Sequence, residues 1–267
     1  MPKFGIFVHP KRPKIPVDKI LRRLRSAGAS HSQENPDLAI VVGGDGTFAY
    51  YGRTLSMPLL FVGVKETGII GSRAKLAEIL YEDLDRAIQD IESGRYSVLE
   101  RKMLSVRLNE HSEDVLTDVY VERGRFAGCL RYRVSARPLL GHEFVPFNDY
   151  AIGNGVVVST SFGSGGYYSY PDRLGSGKKA RKSPADFSDD RIGICHIIPA
   201  YLVRRDGPSP NIRYTLPPAV IKISLMRDAR ARLYGTTLHS KGVSVRMGDT
   251  ITVSPAKRHG NIIKLRS

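Results

Sequence analysis

The spacing of apolar and polar positions along the chain changes near residue 97. Before that point, apolar runs of strand length alternate with segments in which apolar residues recur at helical spacing. The predicted strands span 3–8, 38–42 and 59–64, and the predicted helices span 16–27, 47–55 and 76–91. This β-α-β-α-β order predicts a parallel, doubly wound sheet.

Beyond residue 97 the pattern indicates strands separated by turns. Strands are predicted over 98–108, 115–122, 130–136, 156–160, 192–198, 220–226 and 232–236, with two more near the C-terminus. The sequence therefore predicts an α/β protein of two domains. A doubly wound N-terminal domain covers 1–97, and a β-rich, β-sandwich-like domain covers 98–267, whose last strands can return to the first domain.

A glycine turn directly follows the apolar run 38–42. Gly43, Gly44, Asp45 and Gly46 lead to Thr47, which stands where a helix N-cap is expected. A strand that enters a helix through such a turn places backbone N–H groups at the carboxyl edge of the sheet, where anionic ligands bind. Because the three glycines lack side chains, a phosphate can approach the backbone closely.

Asp45 is the exception in this turn, because a carboxylate repels phosphate. It is suited either to hold a divalent cation that bridges phosphates or to accept a proton from an attacking hydroxyl. An Asp-Gly pair is also common in ordinary tight turns, so a structural interpretation stays open. The run is neither a Walker loop nor a GxGxxG dinucleotide fingerprint.

A second glycine-rich segment follows the predicted strand that ends at Thr160. Its loop contains Gly163, Ser164, Gly165 and Gly166, and Tyr167 comes next. Backbone N–H and hydroxyl donors in such a loop can bind phosphate or ribose, and a tyrosine offers a flat face to a base. A glycine-rich turn with a structural tyrosine is the alternative.

Both segments resemble motifs of known kinases. The run from Gly43 to Thr47 resembles the signature shared by NAD kinases, diacylglycerol and sphingosine kinases and, more distantly, 6-phosphofructokinases. The segment 153–167 resembles a second NAD kinase motif, and 246–253 resembles the family's closing strand. The second motif is matched at Gly153, Gly155, Ser159, Thr160, Gly163, Ser164 and Tyr167, and a third, weaker match comprises Gly68, Ile70 and Gly71.

NAD kinases also carry an Asn-Glu pair on a strand, which holds the nucleotide. Two segments are candidates for that pair. Asn148-Asp149 lies only a few residues before Gly153, whereas Thr117-Asp118 lies about 35 residues upstream, as in the family. We choose Asp118, with Thr117 in place of the asparagine; a plain exposed strand carboxylate is the alternative.

The resemblance implies a kinase that transfers a phosphoryl group from ATP or polyphosphate to the 2′-hydroxyl of the adenosine ribose of NAD, giving NADP, with Mg²⁺ as the cofactor. It implies that Asp45 is the base, in a cleft between the domains, and that the protein is a homodimer or homotetramer. The residues that it implies bind the nucleotides are Gly43, Gly44, Gly46, Thr47, Thr117, Asp118, Asn154, Gly163, Ser164, Gly165, Gly166 and Tyr167.

The chain departs from the family where the acceptor would bind. Asn154 replaces an aspartate, Gly165-Gly166 replaces Thr-Ala, and Ser72 stands at an aromatic position. Two alternatives therefore stay open. The chain can be a kinase of the same superfamily that acts on another hydroxyl, of a nucleoside, sugar or lipid, or a non-catalytic nucleotide- or nucleic-acid-binding relative.

The charge balance adds a preference for anionic partners. The chain has 41 lysines and arginines against 26 acidic residues, a formal charge of +15, which attracts polyanions. No nucleic-acid-binding module is recognisable. The segment 170–184 is glycine-rich and basic, and it predicts either a lid that meets the donor phosphates or a solvated loop. The lid residues would be Lys178, Lys179, Arg181 and Lys182.

The remaining features point to an ordinary globular protein. No apolar run has membrane-spanning length, and the N-terminus is predicted to be a strand, so we expect a cytoplasmic protein that does not bind membranes. The histidines show no metal-ligand spacing. Cys129 and Cys195 lie in strand-like runs and are expected to be buried thiols.

Overall fold

The computed structural model describes residues 1–11, 13–65, 74–125, 127–174, 187–205, 209–236 and 241–266. These residues form two compact units. The first comprises Met1–Arg101 and His259–Ser267, and the second comprises Lys102–Arg258. A functional division of the chain at residue 97 stays a prediction.

The first unit is built on a parallel sheet. Its elements are β1 (Lys3–Val8), α1 (Val17–Ser26), β2 (Ser30–His31), β3 (Leu38–Gly43), α2 (Asp45–Thr54), β4 (Leu59–Gly63), β5 (Ile79–Leu80) and α3 (Leu84–Glu92). Strand β4 pairs with β3, β3 with β1 and β1 with β2, and all of these pairs are parallel. The end of the last strand of the chain, β18 (Thr250–Leu265), also pairs with β4.

Helices cover both faces of this sheet. Leu60 and Val62 of β4 belong to one core cluster with Ile20 of α1 and Ile88 of α3. The alternate residue, Phe61, stacks on Phe48 of α2, with ring centroids 4.5 Å apart. Successive residues of a strand point to opposite faces, so α1 and α3 lie on one face and α2 on the other. No helix of the described residues is long and apolar enough to cross a membrane.

Two of the helix predictions in this unit are wrong in detail. Helix α2 begins at Asp45 with Gly44 as its N-cap, so Thr47 is the third helical residue and not the cap. The predicted helix over 76–91 begins only at Leu84 and follows a 3₁₀ turn, Tyr81–Asp83. Ile79 instead pairs with Val62 of β4. Sheet pairing therefore overrides a local pattern that fits a helix.

The rest of the chain is dominated by strands. The elements are β6 (Tyr96–Leu108), β7 (His111–Val115), β8 (Asp118–Glu122), β9 (Leu130–Pro138), β10 (Phe147–Gly153), β11 (Gly155–Ser159), a 3₁₀ helix (Tyr167–Arg173), β12 (Ile192–Ile197), β13 (Tyr201–Arg204), β14 (Arg213–Leu216), β15 (Ala219–Leu225), β16 (Ala231–Tyr234), β17 (Val243–Val245) and β18. Strand β9 alternates buried with exposed residues, because one of its faces packs on a core and the other meets solvent.

The second unit is a β-sandwich. One sheet has the order β14-β12-β11-β8-β16-β17, and the other contains β13-β10-β9-β15 and the start of β18. Buried residues of both sheets form one core, such as Val119 and Ile194 from the first and Val134 and Ile223 from the second. This arrangement confirms the predicted fold class of an α/β domain followed by a β-rich domain.

The strand predicted over 115–122 is two strands. Strand β7 ends at Val115 and pairs with β6, whereas β8 begins at Asp118 and pairs with β11. The chain changes sheets at Leu116 and Thr117, a step that an uninterrupted apolar alternation does not reveal. The sequence pattern also does not predict β10, β13 and β14. Of the two cysteines, both of them free thiols, Cys195 is buried as expected, but Cys129 is only half-buried.

A buried carboxylate joins strands of the two sheets of the sandwich. Asp149 is 0% exposed and accepts hydrogen bonds from Arg204 Nε at 2.6 Å and from the Tyr214 hydroxyl at 2.6 Å. Burial acts to raise the pKa of Asp149, but the hydrogen bonds from Arg204 and Tyr214 outweigh it and lower that pKa, together with the nearby His196, whose Nε2 lies 3.5 Å from Oδ2. The Asp149 carboxylate is therefore already bound by side chains of the protein itself, which indicates a structural role.

Removal of Arg204 should therefore destabilise the protein strongly. Arg204→Ala leaves a buried charge without its partner, which costs about 3–5 kcal/mol of unfolding free energy. Arg131→Ala removes an exposed arginine of β9 and should change that free energy by no more than about 0.5 kcal/mol. Urea unfolding of both variants at neutral pH measures the difference.

The pH dependence of stability in the wild type and in Arg204→Ala tests the cause. In the wild type, the folded pKa of Asp149 lies below the ordinary value of 3.8, so its stabilisation is present above that pH and is lost as the pH falls through the folded pKa. In Arg204→Ala, burial should raise the pKa of Asp149, because the arginine no longer offsets it. Protonation of Asp149 on acidification should then remove the destabilising buried charge. The difference in stability between the two should narrow on acidification, and a constant difference would contradict this account.

Candidate functional site

One candidate site, in the first unit, is the turn between β3 and α2. The Thr47 and Phe48 N–H groups donate to the Gly44 carbonyl at 2.9 and 3.1 Å, which closes the first helical turn immediately after the strand. The N–H groups that precede these two, those of Asp45 and Gly46, have no acceptor within the helix. They lie here at the carboxyl end of a parallel strand, where they can bind an anion.

Asp45 occupies the first position of this helix and is half-exposed. Its Oδ1 accepts a hydrogen bond from the Leu76 N–H at 3.0 Å. That contact fixes the orientation of the carboxylate. In the described part of the chain, Oδ2 makes no hydrogen bond, so one oxygen positions the group while the other can act on a ligand.

The glycines of the turn differ in how much space surrounds them. A Cβ on Gly43 would lie 2.7 Å from Thr47 Oγ1, so the buried Thr47 side chain fills the space beside Gly43. A Cβ on Gly46 would meet nothing within 4 Å. Packing therefore requires a glycine at position 43. At position 46 there is space for a side chain, so packing does not explain the glycine there.

A lysine outside the sequence motifs lies beside this turn. Lys14 Nζ is 3.7 Å from the position that a Cβ on Gly44 would occupy. Lys14 belongs to the loop that follows β1, and loops at the carboxyl ends of neighbouring parallel strands meet at one edge of the sheet. That rule, applied to the basic residues after β1, is the signal that could have identified Lys14.

A second candidate site, in the second unit, is where the loop at Gly163 meets the start of β8. The Thr160 hydroxyl donates to the Leu116 carbonyl at 2.7 Å and accepts from the Gly163 N–H at 3.0 Å. A Cβ on Gly163 would overlap the Thr117 carbonyl oxygen. The loop can therefore lie against β8 only because Gly163 has no side chain.

This contact brings the predicted Asp118 to the glycine loop. Asp118 Oδ2 is 3.5 Å from the position of a Cβ on Gly166, and a Cβ on Gly165 would meet nothing within 4 Å. Thr117 is only 5% exposed, and its hydroxyl is 3.4 Å from Asp118 Oδ1. Ser164 is buried in the loop. The structure thus groups Asp118 with the loop, while the Thr117 side chain is largely covered.

Tyr167 belongs to a cluster of tyrosines on the outer face of β8. Its hydroxyl donates to Glu122 Oε1 at 3.3 Å, and its ring packs edge-on against Tyr120 with centroids 5.2 Å apart. Tyr120 also stacks on Tyr234 at 5.2 Å. Burial, followed by the nearby Glu122 carboxylate, raises the pKa of Tyr167. Tyr167 is therefore held in place and remains protonated.

The neighbours that hold Tyr167 lie outside the predicted site residues. Asp118, Tyr120 and Glu122 are alternate residues of β8, so they share one face of the sheet. Tyr120 pairs across the strands with Tyr234 of β16. The period-two alternation from residue 118 to 122 could have identified Tyr120 and Glu122, but the pairing with β16 requires the structure.

Asn154 lies at the opposite end of the paired strands β8 and β11 from Asp118. Asn154 precedes β11, next to the register pair of Gly155 with Glu122, whereas Ser159 at the far end of β11 pairs with Asp118. Strand geometry places Asn154 about 15 Å from that end. Asp45 belongs to the first unit and Asp118 to the second. Outside the described residues lie Gly68, Ile70, Gly71, Ser72, Lys178, Lys179, Arg181 and Lys182.

The described residues do not form a protein-only metal site. They contain no group of three or more histidine, cysteine, aspartate or glutamate side chains that could hold a metal ion. Mg²⁺ commonly uses one or two carboxylates and completes its coordination with substrate phosphates and water. Asp45 beside the glycine turn fits that limited role.

Comparison with known proteins finds similar sequences that are named NAD kinases. No family model matches the chain. The NAD kinase of Magnetococcus marinus is 31% identical over 142 residues, 50% of this chain and 43% of that protein. The NAD kinase of Carboxydothermus hydrogenoformans is 25% identical over 245 residues, 88% of this chain and 76% of that protein. The chain is similar in sequence to the NAD kinases. This relationship confirms the resemblance predicted from the motifs.

Solved structures of NAD kinase relatives share the fold. Yeast NADH kinase, in complex with NADH, aligns with a TM-score of 0.66 and 15% identity over 98% of this chain and 84% of its own. An NAD kinase from Archaeoglobus fulgidus, in complex with ATP, aligns with a TM-score of 0.61 and 16% identity over 99% and 93%. The chain spans about half the length of the first curated NAD kinases that it matches.

The close approach of Gly163 to β8 gives a prediction with a matched control. Gly163→Ala should displace the loop from Thr117 and lower the unfolding free energy by about 1–3 kcal/mol, because the added methyl overlaps backbone. Gly165→Ala adds the same methyl in open space and should be tolerated. Thermal unfolding of the two variants decides. Equal losses of stability would contradict the contact.

Proposed function

We propose that the protein is a kinase that transfers the terminal phosphoryl group of ATP to the 2′-hydroxyl of the adenosine ribose of NAD, giving NADP. The observation that carries this proposal is the half-exposed Asp45 carboxylate at the N-terminus of α2, directly after a buried parallel strand. The relatives named NAD kinase, and the related structures determined with ATP or NADH, support it.

The turn between β3 and α2 would bind the phosphates of ATP. Gly43, Gly44, Gly46 and Thr47 supply backbone at the helix N-terminus, whose partial positive charge favours an anion. Lys14, beside Gly44, adds a full positive charge that can stabilise the negative charge on the phosphates during the transfer. Polyphosphate is an alternative donor for the same reasons, because this turn recognises phosphate and not adenine.

Asp45 would be the general base. As the ribose oxygen forms a bond with the γ-phosphorus, Asp45 takes the hydroxyl proton and the bond from that phosphorus to the bridging oxygen breaks, so ADP leaves. The hydrogen bond from the Leu76 N–H to Oδ1 holds the carboxylate in one orientation. This positioning is the contribution that a loosely held surface aspartate would lack.

Mg²⁺ would neutralise negative charge on the transferring phosphoryl group when bound. The residues present fit an ion that would be held mainly by phosphate oxygens, with Asp45 as the protein carboxylate that could bind it. Asp45 would then combine the two uses that its position in the glycine turn suggests.

The loop at Gly163 and the start of β8 would bind the acceptor nucleotide. Asp118 can accept hydrogen bonds from ribose hydroxyls or an amino group, while Gly165 and Gly166 leave space beside it. Ser164 is buried in the loop and supports its shape, and Tyr167 borders the loop with its ring. Asn154 lies beside the register pair of Gly155 with Glu122, the residue that accepts the Tyr167 hydrogen bond, so it would contact the part of the nucleotide farthest from Asp118. The resemblance to NAD kinases favours a homodimer or homotetramer.

A second candidate function is a kinase of the same type that acts on another hydroxyl. The observation that favours it is that the side chains of Tyr167 and Thr117 are already engaged or covered by other parts of the protein. The Tyr167 hydroxyl is bonded to Glu122, its ring packs against Tyr120, and the Thr117 side chain is covered. An acceptor smaller or differently shaped than NAD would need fewer of these groups. Supplying alternative nucleosides and sugars with ATP distinguishes the two.

Two further proposals rest on sequence alone. The basic residues Lys178, Lys179, Arg181 and Lys182 would form a lid over the donor phosphates, and their neutralisation should raise the KM for ATP. A cytoplasmic location is expected, since that compartment contains both ATP and NAD.

The Asp45→Asn variant tests the proposed base. The amide keeps an oxygen that can accept the Leu76 N–H, but it cannot take a proton. We expect kcat for NADP formation to fall about 10²–10⁴-fold, with little change in stability. NADP is measured in a coupled assay with ATP, Mg²⁺ and NAD.

The matched control is Asp37→Asn, at an exposed aspartate that bonds the Lys3 N–H. It should retain wild-type kcat. Full activity in Asp45→Asn would contradict the assignment of Asp45, and turnover of ATP only with acceptors other than NAD would favour the second candidate.

A further inference from the structure

The outer face of one sheet of the sandwich carries a row of exposed basic residues. Along β9, Tyr132, Val134 and Ala136 point into the core, and the alternate residues Arg131, Arg133 and Arg137 are exposed. Successive residues of a strand point to opposite faces. The three arginines therefore lie on the solvent side of the sheet.

Neighbouring strands extend this row. Arg133 pairs with Tyr150 of β10 on one side and with Ser224 of β15 on the other. The exposed Lys222 pairs with Ser135 of β9, next to Arg133. We call Arg131, Arg133, Arg137, Lys222 and Arg205 the basic sheet face.

Cations predominate on this face. The paired outward positions of β13, β10, β9, β15 and the start of β18 include no acidic residue. Within the described part of the chain, Arg131, Arg133, Arg137 and Lys222 take part in no ion pair. By contrast, Arg204 on the inner side is fully engaged with Asp149.

Aromatic side chains lie among these cations. The Arg205 guanidinium lies 4.8 Å above the Tyr150 ring. Tyr201 of β13 pairs with Ile152, which in turn pairs with Arg131, and Tyr201 is 56% exposed. Basic residues with interleaved aromatic rings on an open sheet are the surface on which single-stranded nucleic acids bind, through phosphates and stacked bases.

The extent of the face selects an extended partner. Residues two apart on a strand are about 6.8 Å apart, and neighbouring strands are about 4.8 Å apart, so the cations are spread over several repeats of a polymer. A mononucleotide would contact only one or two of them. The face also belongs to the opposite sheet from Asp118 and the tyrosines beside it.

We propose that the basic sheet face binds single-stranded nucleic acid independently of the proposed kinase site. The phosphates would contact Arg131, Arg133 and Lys222, and bases would stack on Tyr201. The formal charge of +15 provides the long-range attraction, and the sheet provides the location.

The test measures binding of a fluorescein-labelled 12-mer of oligo(dT) by anisotropy, across a salt series. The triple variant Arg131→Gln/Arg133→Gln/Lys222→Gln should bind at least about tenfold more weakly at low salt, and its salt slope should be smaller by about 2, since three phosphate contacts are lost. The matched control, Lys19→Gln/Arg22→Gln/Arg25→Gln on the exposed side of α1, removes the same charge and should bind within about twofold of wild type.

Tyr201→Ala separates stacking from charge. It should weaken oligo(dT) binding about fivefold or more while leaving the binding of inorganic polyphosphate of similar charge unchanged. Equal weakening by the two triple variants, full competition by saturating ATP, or a change of oligomeric state in the basic-face triple variant would overturn the proposal. Retained kinase activity in these variants would show that the two sites are separate.

Discussion

Two positions at which a Cβ atom has no space determine how this protein presents its candidate site. Gly43 lies against the buried Thr47 side chain, and Gly163 lies against the Thr117 carbonyl. The first contact lets α2 begin immediately after β3, with Asp45 at its first position. The second lets the glycine loop reach β8 and Asp118. Everything proposed about phosphate and nucleotide binding depends on these two close approaches.

The fates of two aspartates show how burial separates structure from function. Asp149 is buried and hydrogen-bonded to Arg204 and Tyr214, so its charge is balanced by partners within the sandwich. Asp45 is half-exposed, and a single backbone N–H orients it. A carboxylate that is positioned but not neutralised is the kind that can act on a substrate. Sequence spacing leaves Asn148-Asp149 as one of two candidates for the nucleotide-binding pair. The burial of Asp149 indicates a structural role instead.

The fold class and the relationship to NAD kinases are predictable from the sequence because both depend on local features. A buried strand, a glycine turn and a helix are adjacent in the chain, so the pattern at 38–48 contains the information needed. The same pattern misplaces the helix start, because Gly44, not Thr47, caps it. The change of sheets at Thr117 and the pairing of Ile79 with β4 depend on residues far apart in sequence, and local periodicity does not carry that information. The same limit hides Tyr234, which reaches Tyr120 only through the pairing of β16 with β8, whereas Lys14 could have been identified from its place after β1.

The transfer of a phosphoryl group from ATP to the ribose of NAD is the reaction that this site is proposed to perform. The most direct measurement is a single-turnover reaction of the purified protein with γ-³²P-labelled ATP, Mg²⁺ and NAD, followed by separation of the nucleotides. We expect the label to appear in NADP, at the 2′-position, as ADP forms. Label that remains in ATP or is released as free phosphate, at protein concentrations that bind both nucleotides, would contradict the proposed reaction.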